Sequence, residues 1–245
     1  MKFILVCLFL NTLWSATSLS LVPAEEGLLF ETARLKAYAA TADRITSMAG
    51  LLNQTDGAGR LNGRYYEDGL EKGPAWISHM QEQVLEKKFS TCIFFYTKEV
   101  SSSTLACVVG REPRYAFPTV HRMVYVTNME QQSKGFTSEA VRGFLKFWPI
   151  DKMCDSLELS IHPENAASLR IATDVVGATF LLKAGNVTGT QERCVYSILQ
   201  EALTKQISSY PDIARPMILP TAAHLSMGHS LSLDILGSSG QDKGN

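Results

Sequence analysis

The chain has 245 residues, with 23 Lys plus Arg against 24 Asp plus Glu. The resulting formal charge of −1 excludes the broad positive field by which nucleic-acid binders hold phosphate backbones. Apolar residues make up 45% and charged residues 19%, which excludes a largely disordered chain and allows one generous domain or two small ones. The one long apolar run lies at the extreme N-terminus, which excludes a multi-span membrane protein.

Met1-Lys2 is followed by apolar Phe3 to Leu10 and then by the small residues Ser15, Ala16, Thr17, Ser18 and Ser20. That is the charged, apolar, small-residue order of a secretory signal. The run falls short of the roughly 20 residues that span a bilayer. Residues 1–20 are therefore expected to be a signal peptide, and the protein to be exported or secreted with no stable membrane span after cleavage. The alternative is an uncleaved anchor or a misplaced start, which would make the protein cytoplasmic. Cys92, Cys107, Cys154 and Cys194 remain after cleavage, and no CxxC or Cys/His spacing suggests a metal. An even count in an exported chain permits disulfides. Cys92 and Cys107, on neighbouring strands, are either a facing pair or two buried thiols.

In chain order, Phe30 to Tyr38 alternates loosely and predicts one strand. Thr41 is a good N-cap for a helix with Ile45, Met48, Leu51 and Leu52 at helical spacing. Asn53 to Gly63 reads as a loop, and Pro74 starts a second helix with Trp76, Ile77, Met80, Val84 and Leu85 on one side. Ser90 to Thr97 and Leu105 to Gly110 predict two strands joined by a turn at Ser101 to Ser103, and Val120 to Thr127 predicts a third. The polar loop Glu130 to Phe136 opens a helix near Thr137, with Val141, Phe144, Leu145 and Trp148 on one face and Pro149 at its end. Leu157 to Ile161 is an alternating strand, His162 to Asn165 a turn, and Ala166 to Val176 a helix stopped by Gly177. Ala178 to Lys183 and Arg193 to Leu199 are closing strands. The expected division is a domain over 28–202 and a partly disordered, Ser/Pro-rich extension over 203–245. The fold class is α+β, with a strand–helix–strand crossover at its centre.

Two constellations carry chemistry. Val124 to Ala140 places a strand, a Gly-containing loop and a helix start in immediate succession. Helix N-termini present unpaired N–H groups and the positive end of a dipole, so a diphosphate can be held there. Gly135 permits close approach. The spacing is neither Walker A nor GxGxxG, and a routine strand-to-helix connection reads the same way. The second constellation, His162 to Arg170, ends one strand and opens the next helix, with Asn165 and Ser168 on one helix face. Alone, Asn165 is simply a good N-cap.

Together with Gly177-Ala-Thr-Phe180, these segments resemble the GCN5-related N-acetyltransferase (GNAT) superfamily from about Leu29 to Leu199. The opening Phe30-Glu-Thr-Ala-Arg-Leu35 and the run Gln132 to Ala140 resemble the branch containing the bacterial ribosomal-protein N-terminal acetyltransferases. Gln132 and Gly135 match the family's phosphate loop. Thr137 departs from its small residue, and its side chain is expected to crowd the diphosphate. Ala178-Thr179 separates Gly177 from the aromatic Phe180.

The resemblance implies a mixed, mostly antiparallel sheet flanked by helices, with two splayed central parallel strands at about Val120 to Met129 and Leu157 to Ile161. It implies acetyl-CoA as acyl donor in the gap between them. Val124, Tyr125 and Val126 would pair with the pantetheine arm as an added strand does. Gln132 and the loop Lys134, Gly135, Phe136 and Thr137 would hold the diphosphate, and Asn165 would bond the arm from the other side. An amine of a protein N-terminus, a lysine or a small molecule would then attack the thioester in a ternary complex. The helix after Asn165 carries no Tyr to protonate the departing thiolate, so Ser168 is the candidate donor and Glu130 the candidate base. His121 is expected to be a surface or packed histidine. A GNAT-like module that binds CoA or a protein without chemistry is the competing reading, and a disulfide-held scaffold is the third.

Overall fold

The computed structural model describes residues 27–55, 92–98, 103–114, 117–147, 154–185 and 192–214. The expected signal peptide, the helix expected from Pro74, Ser101, Trp148, Pro149 and the polar tail lie outside the described residues.

The elements are β1 (Leu28–Glu31), β2 (Leu35–Ala39), α1 (Ala42–Leu52), β3 (Cys92–Thr97), β4 (Leu105–Arg114) and β5 (Phe117–Thr127). A 3-10 turn (Met129–Gln131), α2 (Phe136–Phe147), β6 (Ser156–Ile161) and α3 (Ala166–Arg170) follow. A π turn (Ile171–Val176), β7 (Thr179–Gly185), β8 (Glu192–Leu199) and α4 (Gln200–Ser208) complete the described chain. Among the described residues the strands form one sheet in the order β1-β2-β3-β4-β5-β6-β8-β7, antiparallel throughout except for β5 and β6.

Phe30 to Tyr38 is two strands rather than the single strand expected. The break is made by Thr32: its N–H donates to the Leu35 carbonyl at 2.9 Å, and its hydroxyl accepts from the Leu35 N–H at 3.1 Å. A side-chain hydroxyl thus closes a turn that has no Gly, Pro or Asn to announce it.

Both faces of the sheet are covered at β3. On β3, Ile93 and Phe95 enter one cluster with Val141 and Phe144 of α2, while Cys92, Phe94 and Tyr96 enter another with Ile45, Met48 and Leu51 of α1. Successive strand side chains point to opposite faces, so a strand buried along its whole length requires a layer on each side. Phe30, Phe94, Phe95 and Phe144 expose nothing, and burying each is worth about 1.5–3 kcal/mol. Gly143 allows α2 to lie on β1, because a Cβ there would stand 2.9 Å from the Thr32 methyl.

Thr41 caps α1, accepting from the Arg44 N–H at 3.3 Å, and Ile45, Met48, Leu51 and Leu52 form its buried stripe. The helix expected over Ala166 to Val176 is α-helical only to Arg170 and then widens into a π turn. Gly177 ends it at φ 76°, and the Ala178 N–H reaches back to the Ala172 carbonyl. The wider turn places Ile171, Ala172, Val175 and Val176 in the core.

The described cysteines are four free, buried thiols. Cys92 pairs with Gly110 and Cys107 with Phe95, so the two cysteines do not face each other.

α4 crosses the boundary expected at 202/203. Leu203 is fully buried, and the Tyr210 hydroxyl donates to the Val175 carbonyl at 2.6 Å. Lys146 of α2 donates to the Tyr210 carbonyl and pairs with Asp212. Ala214 then exchanges two backbone hydrogen bonds with Glu31 on the edge of β1.

Candidate acyl-donor site

The site begins where two strands part. β5 and β6 pair at Val120–Ser156, His121–Leu157 and Arg122–Glu158. Beyond that, β5 continues to Thr127 paired with β4, and β6 continues to Ile161 paired with β8. Each strand keeps its outer partner while losing its inner one, so a wedge opens between their C-terminal halves. Val124, Tyr125 and Val126 line one arm of it. Asn165 and Ser168 stand just beyond the end of the other.

At the end of β5 the chain enters the loop before α2. Asn128 is buried and anchors it: its amide donates to the Leu105 carbonyl at 2.9 Å, and its oxygen accepts from the Glu130 N–H and from Gln54. The Gln54 oxygen in turn accepts from the Met129 N–H at 2.8 Å. Ser133 (φ 62°) and Gly135 (φ 78°) both adopt the left-handed region, which curls the loop into the start of α2. The Glu139 N–H bonds back to the Gly135 carbonyl, so the N–H groups of the first turn are left for an external acceptor.

Thr137 turns its hydroxyl toward β5. It is buried, and its hydroxyl lies 2.6 Å from the Thr127 hydroxyl at the end of β5. The hydroxyl of this departure from a small residue is thus engaged by the neighbouring strand.

Arg34, in the turn between β1 and β2, sits against this loop. Its Nε pairs with Glu139 at 2.7 Å, and its Nη1 donates to the Lys134 carbonyl at 2.9 Å. Its guanidinium lies 4.6 Å from the centre of the Phe136 ring. Its Nη2 stands 3.4 Å from where a Cβ on Gly135 would be. Glu139 also accepts from the Thr32 hydroxyl and the Arg34 N–H. Burial works to raise the Glu139 carboxyl, but these hydrogen bonds and the Arg34 charge outweigh it and hold the group below its ordinary value.

On the far arm, the Asn165 oxygen caps α3 by accepting from the Ser168 N–H at 3.1 Å. The cap uses the oxygen, so the amide NH2 can still donate. The Tyr125 hydroxyl crosses the wedge and donates to the Ser168 carbonyl at 3.3 Å. Burial pushes the Tyr125 phenol up to about 12, so it stays protonated at neutral pH.

The structure brings together the loop residues Lys134, Gly135, Phe136 and Thr137, and separately joins Tyr125, Asn165 and Ser168. Gln132 closes the 3-10 turn and is exposed. Glu130 is exposed on the same turn. Its backbone is tied to Asn128, and no hydrogen bond among the described residues links its carboxylate to the wedge. His121 is buried where the two strands still pair, and its Nδ1 lies 2.8 Å from Nη1 of Arg111. That end of β5 is opposite to the loop before α2. Sequence reasoning gave no part to Arg34 or Gln54, and placed Tyr125 on the pantetheine edge without foreseeing its hydroxyl bond to Ser168. The one available signal was Arg34, within the opening segment that carried the resemblance.

No protein-family model and no curated protein matches the sequence. Solved structures do match. An acetyltransferase of the GNAT family from Bacillus anthracis is 14% identical with a TM-score of 0.54, over 71% of this chain and 99% of that one. A spermidine N-acetyltransferase chimera from Vibrio cholerae and hSSAT is 14% identical with a TM-score of 0.52, over 70% and 99%. An aminoglycoside acetyltransferase in complex with coenzyme A is 13% identical with a TM-score of 0.50, over 70% and 98%. At these identities the likeness is one of architecture, and with the parted parallel strands and the helix-opening loop it places the chain in the GNAT acetyltransferase fold.

Proposed function

We propose that the protein is an N-acyltransferase that takes an acyl group, acetyl in the simplest case, from acyl-CoA to a primary amine. The observation that carries this reading is the wedge between β5 and β6, opening beside a loop whose Gly135 and helix-start N–H groups can receive a diphosphate. The loop fits that group: Gly135 leaves room beside Arg34, and the Thr137 hydroxyl is engaged by Thr127.

The thioester supplies an activated acyl carbon. The edge of β5 at Val124 to Val126 pairs with the pantetheine arm, the N–H groups of Lys134 to Thr137 hold the diphosphate with Gln132 beside them, and the Asn165 amide donates to the arm. As the amine nitrogen bonds to the acyl carbon and the C–S bond breaks, a hydroxyl must protonate the sulfur. Ser168 and Tyr125 are the two candidates, and Tyr125 is the better placed because its hydroxyl already reaches across the wedge. Glu130, alone or through water, takes the proton released by the amine. The acceptor is a protein N-terminus, a lysine or a small amine. That structural neighbours are named for spermidine and aminoglycosides, both amines, supports this class. Export directed by residues 1–20 is part of the proposal, and sequencing the N-terminus of the native protein reads it.

The second reading, a CoA-binding module without chemistry, is favoured by the Tyr125–Ser168 bond, which ties the two arms together. Thermal unfolding with CoA and acetyl-CoA tests both. Ligand at about 100 times its dissociation constant adds about 2.7 kcal/mol of stability. Stabilisation together with thiol release on a panel of amines supports the transferase. Stabilisation without turnover selects the silent module, and no stabilisation by either ligand overturns both.

A further inference from the structure

Glu139 lies in the first turn of α2, the helix end whose N–H groups would receive a diphosphate, and so puts a negative charge at that end. Left unpaired, that charge would oppose an anion. Arg34 occupies the Glu139 carboxylate from the β1–β2 turn, 105 residues away in the chain. With the same guanidinium it holds the carbonyl of Lys134, the residue between the two left-handed positions Ser133 and Gly135. We propose that Arg34 is a positioning residue for the acyl donor: it neutralises Glu139 and fixes the Lys134 peptide, so that the loop's N–H groups face the diphosphate before it arrives.

The inference rests on the transferase reading but concerns a residue outside the phosphate-loop motif. A guanidinium is needed because one planar fork must serve a carboxylate and a carbonyl at once. The anchoring is local, so it bears on the diphosphate and leaves the pantetheine cleft unchanged.

The test uses the full chain with CoA and with pantetheine, which lacks the diphosphate, as probes. Arg34→Ala is expected to weaken CoA at least tenfold while leaving pantetheine within twofold, and Arg34→Lys is expected to recover less than half of the loss. Amide hydrogen exchange over 132–137 in the ligand-free protein is expected to speed up in Arg34→Ala, with exchange in β3 and β4 unchanged. Equal CoA affinity in wild type and Arg34→Ala, or unchanged loop exchange, overturns the inference and leaves the transferase reading standing. Equal loss of CoA and pantetheine assigns Arg34 to general folding and overturns it as well. Failure of the wild type to bind CoA removes the reading beneath it, and the loop-exchange measurement still decides whether Arg34 orders the segment.

Discussion

The Thr137 and Thr127 hydroxyls lie 2.6 Å apart, joining the first turn of α2 to the end of β5. Thr137, where the loop departs from the pattern of the family it resembles, is therefore a staple between the two elements that frame the candidate site. Thr137→Ala is expected to cost about 1 kcal/mol of stability, the net worth of a neutral hydrogen bond, and to leave CoA affinity within a factor of about three. Urea unfolding and calorimetric titration check the two halves. A large affinity loss would mean that the hydroxyl, rather than the backbone, meets the ligand.

Gly135 is the position at which the loop tolerates least. At φ 78° an L side chain is strained, by about 1–2 kcal/mol. Gly135→Ala is expected to lower stability by about that amount and to weaken CoA at least tenfold, because the added methyl also stands against Arg34. Equilibrium unfolding and CoA titration of the variant would show it.

Tyr125 offers a division between binding and chemistry. Tyr125→Phe keeps the ring and removes the hydroxyl that reaches Ser168. With an amine that wild type acetylates, kcat is expected to fall about 100-fold while KM for acetyl-CoA changes less than threefold, the pattern of a lost proton donor. Ser168→Ala with the same substrate is expected to cost less than tenfold. The reverse ranking would return the role to Ser168.

Asn128 concentrates structural cost at one residue. It is buried and bonds to Leu105, Glu130 and Gln54. Asn128→Ala strands the Leu105 carbonyl and is expected to cost about 2–3 kcal/mol, measured by urea unfolding.

His121 gives the fold a pH signature apart from the site. Burial first, and then the neighbouring Arg111 charge, pushes its imidazole down to about 4, against about 6.5 in the unfolded chain. Between those values the unfolded state binds a proton that the folded state refuses. The stability contribution is therefore complete above pH 6.5 and falls as pH drops toward 4, with a limiting slope of about 1.4 kcal/mol per pH unit. His121→Gln is expected to flatten the stability profile in that window.

The strands and helices with strong periodicity were legible from residue order: α1 with its Thr41 cap, the apolar run of β3, and the helix after Gly135. The loop–helix junction around Gly135 was legible as a candidate site only together with the Asn165–Ser168 segment, because alone it reads as a routine strand-to-helix connection. The turn at Thr32 was not, because a hydroxyl makes it rather than a turn-forming residue. Arg34 and Gln54 were not legible as site residues, because their partners Lys134 and Asn128 stand 100 and 74 residues away. No local pattern reports a contact at that separation. α4 was missed because its apolar stripe is short, with Leu203 buried and Ile207 half-buried against the core.

The paired backbone bonds between Ala214 and Glu31 bring a late segment back to the sheet's first strand. At that point β1 has no open hydrogen-bonding row to offer another chain. A protein cut after residue 202, where composition alone would set the boundary, would lose this cover together with the Tyr210 anchor, and would expose a bare strand margin of the kind that recruits copies of itself. Expression trials should keep the chain through at least Ala214.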